Sequence, residues 1–295
     1  MNAASEAAAG QNYPPGALYI VATPIGNLAD ITLRALHVLQ IADTIACEDT
    51  RHSQTLLRAY GIDKSAAQLL AVHQHNESEA AQAVIERLRQ GQRVAYASDA
   101  GTPAVSDPGA RLVAAVRLAG FPVIPLPGAS SVTSALSVAG IAGEGAQEGA
   151  FVFIGFLPSK SNERTTAIEA LRLEARSVVL LEAPHRIEAL ATALATLGSR
   201  AVTVGRELTK QFEEIATVSA ERLPAWLSED ANRLRGEFVL VLHPIRDQAV
   251  TGPDDRVLKM LLAELPLKTA VKISAEITGQ PRNILYELAL RLKKD

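Results

Sequence analysis

Short apolar runs alternate with stretches of helical periodicity along the first part of the chain, starting at Leu18. Each short run predicts a strand, and the three- and four-residue spacing that follows it predicts a helix. This βαβ alternation is typical of a mostly parallel sheet flanked by helices, with right-handed crossovers. The predicted strands are 18–22, 44–47, 69–72, 94–97 and 123–126, and the predicted helices are 31–40, 50–60, 77–90 and 109–120.

A second series of strand-like runs follows the stretch 140–149, whose Gly- and Ala-rich composition indicates a linker between lobes. The predicted strands of this series are 151–154, 177–181, 201–205, 214–218 and 238–242. We therefore expect an α/β fold with two lobes, at 17–126 and 151–247, joined through 127–150. Two lobes imply a cleft between them.

The two ends of the chain depart from the α/β pattern. Residues 1–16 are Ala-rich and end in Pro14-Pro15-Gly16, and their lack of periodicity predicts a flexible tail. Beyond Pro253, apolar residues recur only at helical spacing, and Gly279-Gln280-Pro281 separates the last two helical segments. We expect a small three-helix module of helix-turn-helix character at 253–295.

Composition places the chain among globular proteins with substantial cores, since 48% of its 295 residues are hydrophobic. No apolar run approaches the roughly 20 residues that span a bilayer, and the first residues lack the features of a secretory signal. We expect a cytoplasmic protein without membrane contact. The single Cys47 excludes an intramolecular disulfide, and His73-Gln74-His75 has no evident third ligand, so we expect no metal site.

Charge is distributed unevenly along the chain. Residues 1–255 carry 21 basic and 28 acidic side chains, whereas 256–295 carry 8 basic and 4 acidic ones. The acidic body argues against non-specific coating of nucleic acid, but a local basic module can still contact phosphate. A solvated helix face would carry the same charges, so charge alone leaves both interpretations open.

Several common catalytic signatures are absent from the sequence. No G-x-G-x-x-G follows the first strand, and G-x-x-x-x-G-K-[ST], H-E-x-x-H, C-x-x-C and G-x-S-x-G do not occur. These absences disfavour ordinary nucleotide-binding folds, zinc enzymes and serine hydrolases.

The strongest functional signal is the segment 96–109, Y-A-S-D-A-G-T-P-A-V-S-D-P-G, in which a strand ends in a Gly- and Pro-rich loop. Similar segments follow other predicted strands, at 23–28, 127–131, 156–158 and 182–186. Ligands of open α/β sheets bind at the carboxyl ends of strands, and small residues let the backbone approach them. We expect these segments to form a pocket, although capping of nearby amides is an alternative role for the aspartates of the first one.

Five motifs in these regions occur in the same order in a known family. They are V-A-T-P-I-G-N-L at 21–28, C-E-D-T-R at 47–51, S-D-A-G-T-P-A-V-S-D-P-G at 98–109, L-P-G-A-S-S at 126–131 and L-E-A-P-H-R-I at 181–187. With them the chain closely resembles the tetrapyrrole methylase superfamily of class III methyltransferases, and within it the branch that methylates small-subunit ribosomal RNA. The resemblance covers about 17–295, including the helical module.

This resemblance implies a donor, an acceptor and an assembly. The donor is S-adenosyl-L-methionine, folded into the interlobe cleft, and the acceptor is the ribose 2′-hydroxyl of a cytidine in the decoding region of 16S rRNA. We expect the RNA to be recognised in the assembled small ribosomal subunit, with naked rRNA as the alternative that the sequence leaves open. The implied assembly is a homodimer. Other members of the superfamily methylate corrin precursors or a modified histidine precursor on an elongation factor, so the fold alone does not choose the substrate.

Two other classes of function remain open at this point. A tetrapyrrole or protein methyltransferase would use the same donor loops but would not need a basic helical module. A non-catalytic RNA-binding protein would use that module and would not need a donor pocket. The presence of both features favours the RNA enzyme.

The resemblance also implies which residues hold the donor. The superfamily's Gly-Asp-Pro loop corresponds to Asp99, Ala100, Gly101, Thr102 and Pro103. Hydroxyls and amides at a helix start are offered by Ser130 and Ser131. The expected walls of the pocket are Pro24, Phe156, Leu157 and Pro184.

A ribose hydroxyl becomes a good nucleophile when a nearby group draws its proton away. Glu182 and His185 are the candidate catalytic residues after one strand, and Glu48 and Asp49 follow another. The sequence does not decide among these four candidates. Glu48 or Asp49 could instead form a structural ion pair with Arg51.

Basic residues near the motifs are candidate RNA contacts, because arginine and lysine position phosphates. Beside the cleft motifs they are Arg51, Lys160, Arg164 and Arg186. In the helical module they are Lys268, Lys272 and Arg282, with Tyr286 as a stacking face. Simple solvation is the alternative for Lys160 and Arg164.

Overall fold

The computed structural model describes residues 2–73, 76–141, 149–245, 256–279 and 281–292. The chain divides into two compact units, Met1–His243 and Pro244–Asp295. The first unit contains two five-stranded sheets, and the described part of the second unit is helical. Gln74 and His75, and 142–148 of the predicted linker, lie outside the described residues.

The first sheet is wholly parallel, as the βαβ pattern predicts. Its strands are β1 (Leu18–Val21), β2 (Thr44–Cys47), β3 (Leu69–Ala71), β4 (Val94–Ala97) and β5 (Val123–Leu126), in the order β3-β2-β4-β1-β5. Because the strands are parallel, their carboxyl ends and the loops that follow them lie at one edge of the sheet.

Helices cover both faces of this sheet. They are α1 (Asn2–Ala8), α2 (Leu33–Ile41), α3 (Thr50–Ala59), α4 (Glu77–Arg89) and α5 (Ala110–Leu118). Neighbouring residues of β1 belong to different cores, since Tyr19 packs in a cluster with residues of α2 and Leu18 packs with residues of α4 and α5. Burial on both faces explains why the strands of this lobe are continuously apolar in sequence.

The N-terminal residues differ from the predicted flexible tail. They begin with α1, which packs against α2, and Ala4, Ala8 and Tyr13 are buried. The Tyr13 hydroxyl donates to the Ala8 carbonyl at 3.3 Å, and the Tyr13 ring lies 4.8 Å from the His37 ring. Alanine has a high helix propensity, so tertiary contact can order an Ala-rich segment that carries no periodic face of large apolar residues.

The second sheet is mixed. Its strands are β6 (Phe151–Gly155), β7 (Ser177–Glu182), β8 (Ala201–Arg206), β9 (Glu214–Ser219) and β10 (Phe238–Leu242), in the order β6-β7-β10-β8-β9. Only the β6–β7 pair is parallel among the described strands of this sheet. The antiparallel pairing of β8 with β9 is possible because a short hairpin loop, 207–213, joins them.

The predicted linking region 127–150 contains a helix, α6 (Ser131–Val138). Its buried residues Val132 and Ala135 pack in one cluster with Val179, Val239 and Val241 of the second sheet. This region therefore forms part of the packing of the second lobe. The sequence predicted a helix start at Ser130 and Ser131 but not the extent of the helix, since serine and threonine favour caps and turns.

The rest of the second lobe is helical, with α7 (Ser161–Leu171), α8 (Ile187–Leu194) and α9 (Leu223–Ser228). The second unit contains α10 (Arg256–Glu264), α11 (Leu267–Thr278) and α12 (Arg282–Leu292), as predicted. A small core of Leu258, Val271, Leu285 and Ala289 joins these three helices, and Gly279 ends α11 in the left-handed conformation at φ 70°. None of the described helices is long and apolar enough to cross a membrane.

Candidate active site

A cavity of about 330 Å³ lies between the strand ends of the two lobes of the first unit. One wall comprises Ile25, 100–102 and 105–107 of the first lobe, together with 130–132 at the start of α6. Its second-lobe wall comprises Phe153, Phe156, 181–184, Leu208 and 237–239. The cleft that two lobes imply is thus present, and the predicted strand-end segments meet in it.

The loop after β4 is fixed to its neighbours by hydrogen bonds between neutral groups. The Gly101 amide and carbonyl exchange bonds with the backbone of Thr23 at 3.1 and 2.9 Å. The Thr23 hydroxyl donates to the Ser98 carbonyl at 3.0 Å, and the Thr102 hydroxyl donates to the Ala129 carbonyl at 3.2 Å. These bonds tie the ends of β1, β4 and β5 together and hold residues 100–102 at the cavity that they line.

A buried carboxylate fixes the far end of the same loop. Glu77 Oε1 accepts hydrogen bonds from the amides of Gly109, Arg111 and Leu112 at 3.0, 2.8 and 3.2 Å. It thereby satisfies the free amides at the start of α5, where a negative charge is favoured. Gly109 has φ 124°, and a Cβ atom there would lie 2.3 Å from the Tyr96 ring, so glycine is required.

Asp49, a candidate base, caps a helix. Its carboxylate accepts hydrogen bonds from the Arg51 and His52 amides at 2.8 and 3.3 Å, at the start of α3. These bonds hold the pKa of Asp49 below its usual value. The Asp49 amide in turn donates to Asp99 Oδ1 at 3.4 Å.

Two other acids of the first lobe have the opposite electrostatic environment. Burial, followed by repulsion from Asp99, raises the pKa of Asp107. Burial also raises the pKa of Glu48, with further contributions from Asp99, Asp107 and Asp49. Of these two acids with a raised pKa, only Asp107 lines the cavity.

Glu182 and Arg186 form an ion pair at the end of β7. Glu182 is 2% exposed, and its Oε1 accepts from the Ala183 amide at 2.9 Å and lies 3.0 Å from Arg186 Nε. Arg186 also donates through Nη2 to the Leu157 carbonyl. Glu182 Oε2 is buried and has no hydrogen-bond partner in the described structure, although the residue lines the cavity.

The 207–213 hairpin contributes a wall that the sequence did not reveal. Leu208 lines the cavity, and Lys210 Nζ lies 2.8 Å from Glu207 Oε1 and 3.0 Å from Glu237 Oε2. A Cβ atom on Gly26 would lie 2.3 Å from Lys210 Cγ, so the hairpin rests against the loop that follows β1. Leu208 and Glu237 reach the cavity through antiparallel pairing, which strand-end motifs do not report.

The structure brings most of the predicted donor contacts to the cavity. Those that line it are Ala100, Gly101, Thr102, Ser130, Ser131, Phe156 and Pro184, together with the candidate base Glu182. The lining does not include Pro24, Asp99, Pro103, Leu157 or His185. Pro24 and Pro103 are buried, Leu157 packs in the second-lobe core, and His185 is exposed. Adjacent residues of a loop point in different directions, so a motif cannot place every member in one wall.

The basic residues predicted beside the cleft have varied surroundings. Arg51 is exposed on α3, and Lys160 is exposed and pairs with Glu163 at 3.0 Å. Arg164 donates to the Ser159 carbonyl at 3.4 Å. Arg186 is engaged by Glu182 and Leu157, as described above, which leaves it less available for phosphate than the sequence suggested.

The four residues predicted as RNA contacts in the helical module lie together. Lys268, Lys272, Arg282 and Tyr286 line a groove of about 590 Å³ on the surface of the second unit. Arg282 is 3.3 Å from Glu276, whereas Lys268 and Lys272 are exposed. We call this surface the basic groove. The described residues contain no cluster of three or more His, Cys, Asp or Glu side chains that could hold a metal ion.

Comparison with known proteins gives two family matches. The Tetrapyrrole (Corrin/Porphyrin) Methylases family matches residues 17–224, and the RsmI C-terminal HTH domain matches residues 248–293. Ribosomal RNA small subunit methyltransferase I of Escherichia coli O157:H7 is 47% identical over 279 residues, or 93% of this chain and 95% of that protein.

Solved structures of low sequence identity have the same fold. The cobalamin biosynthetic enzyme cobalt precorrin-4 methyltransferase has a TM-score of 0.56 at 19% identity, covering 78% of this chain and 98% of that one. Uroporphyrin-III C-methyltransferase from Thermus thermophilus, complexed with S-adenyl homocysteine, has a TM-score of 0.50 at 19% identity, covering 77% of this chain and 96% of that one. The two-lobed fold, the cleft and the sequence matches agree. The chain belongs to the tetrapyrrole methylase family and, within it, to the ribosomal RNA small subunit methyltransferase I group.

Proposed function

We propose that this protein transfers a methyl group from S-adenosyl-L-methionine to the ribose 2′-hydroxyl of a cytidine in the decoding region of 16S rRNA. The observation that carries the proposal is the presence, in one chain, of a cleft built from the superfamily's donor motifs and a groove of lysine, arginine and tyrosine. A tetrapyrrole methyltransferase needs the first surface alone. An RNA-binding protein without enzymatic activity needs only the second.

The residues of the cleft fit the donor. A pocket of a few hundred Å³ with mostly apolar walls and few polar groups is typical of small-molecule sites. S-adenosyl-L-methionine carries an ammonium group, ribose hydroxyls and an amino group, all of which donate hydrogen bonds. The lining residues 100–102 and 182–184 offer backbone carbonyls as acceptors, and the Glu182 side chain is wholly buried behind this wall. Gly101, with φ 80°, lets the loop backbone approach the donor closely.

The chemistry requires positioning more than functional-group catalysis. When bound, the donor supplies an electrophilic methyl group on a positively charged sulfur. The chain holds the loop after β4 rigid and surrounds the site with Ile25, Phe153, Leu208 and Phe238, which exclude water. A dry, fixed site favours a transition state in which charge disperses, and it pre-aligns the reacting atoms.

The basic groove is proposed to hold the RNA. Lysine and arginine neutralise phosphates, and an aromatic side chain such as Tyr286 can stack on an unpaired base. The groove lies in a unit with an excess of basic residues, whereas the body is acidic. We also propose, from the resemblance, that the protein is a homodimer that acts in the cytoplasm, where its ribosomal substrate is found.

A comparison of three acceptors in separate reactions tests this proposal. The purified protein is incubated with labelled S-adenosyl-L-methionine and with small ribosomal subunits from cells that lack the activity, free 16S rRNA, or uroporphyrinogen III, in parallel reactions. We expect label in the RNA of the subunits and none in the tetrapyrrole. Label in the tetrapyrrole, or in ribosomal protein rather than RNA, would overturn the proposed acceptor.

A further inference from the structure

We propose that Phe156 stacks on the base of the acceptor nucleotide and thereby holds the ribose of that nucleotide at the cleft, an inference that rests on the function proposed above. A nucleotide that presents its ribose inside a cavity must leave the stack of its neighbours in the RNA. Turning the nucleotide out costs free energy, because the base loses its stacking contacts. A stacking partner on the protein offsets part of that cost and keeps the nucleotide in place.

The Phe156 side chain is open to solvent although it lines the cavity. Among the described residues, three phenylalanines line the cavity: Phe238 is 2% exposed, Phe153 is half-buried against the second sheet, and Phe156 is 54% exposed. Covering exposed apolar surface with a ligand is favourable in water. Phe156 is therefore the phenylalanine of the lining that can meet a ligand arriving from solvent.

The backbone on both sides of Phe156 is fixed. The register of β6 with β7 shifts between Phe153 and Gly155, and Gly155 has φ 74°. Bulges of this kind re-aim nearby side chains and occur beside active sites. Leu157, the next residue, is buried in the second-lobe core, and its carbonyl accepts a hydrogen bond from Arg186. Phe156 thus lies between a bulge and an anchored leucine, which determines where its exposed ring emerges.

The first lobe contributes a second exposed apolar side chain to the same cavity. Val105 lines the cavity and is 51% exposed. It follows Ala104, whose φ of 65° is uncommon for a residue other than glycine. A Cβ atom on Gly155 would lie 3.9 Å from Ser106 Oγ, which places this part of the loop beside the β6 bulge. A valine and a phenyl ring from the two lobes therefore offer apolar contact to a flat base.

The acceptor base, rather than the donor, is the ligand that fits this exposed surface. Other apolar residues of the lining, among them Leu208, Phe238 and Val239, are buried and suit an enclosed donor. The acceptor has to enter from solvent, so it meets the exposed residues of the lining. The lining also includes acidic residues, which repel phosphate, whereas stacking requires no charge. A neutral aromatic contact is thus suited to holding a nucleotide in an acidic cleft.

The test measures single-turnover methyl transfer to small ribosomal subunits, with enzyme in saturating excess, for the wild type and three variants of Phe156. Loss of the stack in Phe156→Ala should lower the rate about 10-fold or more. Phe156→Tyr keeps the aromatic face and should stay within about threefold of the wild type, whereas Phe156→Leu keeps only apolar surface and should recover little of the rate. Phe151→Ala is the matched control, because Phe151 is an exposed phenylalanine of β6 that does not line the cavity.

Affinity for S-adenosyl-L-homocysteine, molecular mass in solution and thermal unfolding are measured on the same variants. A rate loss in Phe156→Ala that is absent in Phe156→Tyr, with these three properties unchanged, supports the stacking role. A rate in Phe156→Ala within about threefold of the wild type would overturn it, and so would a loss of donor affinity or a change of mass that accounts for the rate loss. Equal rates in Phe156→Leu and Phe156→Tyr would also overturn it, and this comparison decides if the alanine variant does not fold. Absence of methyl transfer to RNA by the wild type itself would contradict the proposed function rather than the role of Phe156.

Discussion

The cleft and the basic groove are opposite in chemistry. The cleft has apolar walls and the acidic residues Asp107, Glu182 and Glu237, of which Glu182 has a fully buried side chain. The groove has two exposed lysines, an arginine and a tyrosine beside one acid, Glu287. Carboxylates repel RNA phosphates, so the cleft is poorly suited to attract the substrate by charge. Under the proposed function, affinity for RNA and methyl transfer are therefore supplied by separate surfaces. Variants of one surface should therefore leave the property of the other unchanged.

The largest effect is expected from Glu182→Gln, which tests the cleft. The fully buried Glu182 side chain is paired with Arg186 behind the wall 182–184. Removing its charge should weaken binding of S-adenosyl-L-homocysteine about 10- to 100-fold, because hydrogen bonds to charged groups contribute roughly 1.5–3 kcal/mol and hold that wall in place. Affinity for small ribosomal subunits should not change. Isothermal titration calorimetry measures the first quantity and a filter-binding assay measures the second.

Glu188→Gln is the control for this variant, because Glu188 is an exposed acid in the first turn of α8. It should bind S-adenosyl-L-homocysteine like the wild type. Unaltered donor affinity in Glu182→Gln, after thermal unfolding has verified that the variant is folded, would contradict the assignment of Glu182 to the donor site.

A smaller effect is expected from the double variant Lys268→Ala/Lys272→Ala, which tests the groove. Loss of two phosphate contacts should weaken binding to small subunits about 10-fold and reduce the slope of log affinity against log salt by about 1.4. Donor affinity should stay the same. The measurement is binding at several salt concentrations.

The control is Lys259→Ala/Arg291→Ala, which removes the same charge from the same helical module. Lys259 lies on α10 and Arg291 on α12, and neither residue lines the groove. A general electrostatic effect would make the two double variants equal. Equal salt slopes would therefore argue against a specific RNA site in the groove.

The smallest effect is expected from Glu77→Gln, which tests the scaffold of the cleft. The amide would keep an acceptor for the three backbone amides but lose the negative charge at the start of α5, lowering the free energy of unfolding by about 1–2 kcal/mol. Glu79 is an exposed acid of α4, the helix that carries Glu77. Glu79→Gln should change the free energy of unfolding by less than about 0.5 kcal/mol. Urea titration measures the free energy of unfolding of both variants. Equal losses would contradict the stabilising role of the buried Glu77 carboxylate.

Sequence patterns predicted the parts of the molecule that depend on local order along the chain. The alternation of strands and helices gave the parallel sheet, and Gly- and Pro-rich strand ends located the loop that contains Gly101 and Thr102. The three C-terminal helices followed from periodicity. These features depend on backbone geometry that nearby residues dictate, so they are visible without tertiary contacts.

Other parts of the site depend on contacts between distant residues. Leu208 and Glu237 reach the cavity only because β8 and β10 pair antiparallel, and no motif marks them. Arg186 looked available for phosphate in sequence but is paired with Glu182. Asp107 appeared as one of two aspartates in a turn, and only the structure separates it from Asp99 by placing it in the wall of the cavity.

The central claim is that the methyl group is delivered to one ribose of the small-subunit RNA. The direct test treats small subunits from cells that lack the activity with the purified protein and labelled S-adenosyl-L-methionine, and then maps the label by mass spectrometry of RNA fragments. The account predicts a single label on the ribose of one cytidine in the decoding region. A label on a base, or no label on RNA by a protein that binds the donor, would contradict it.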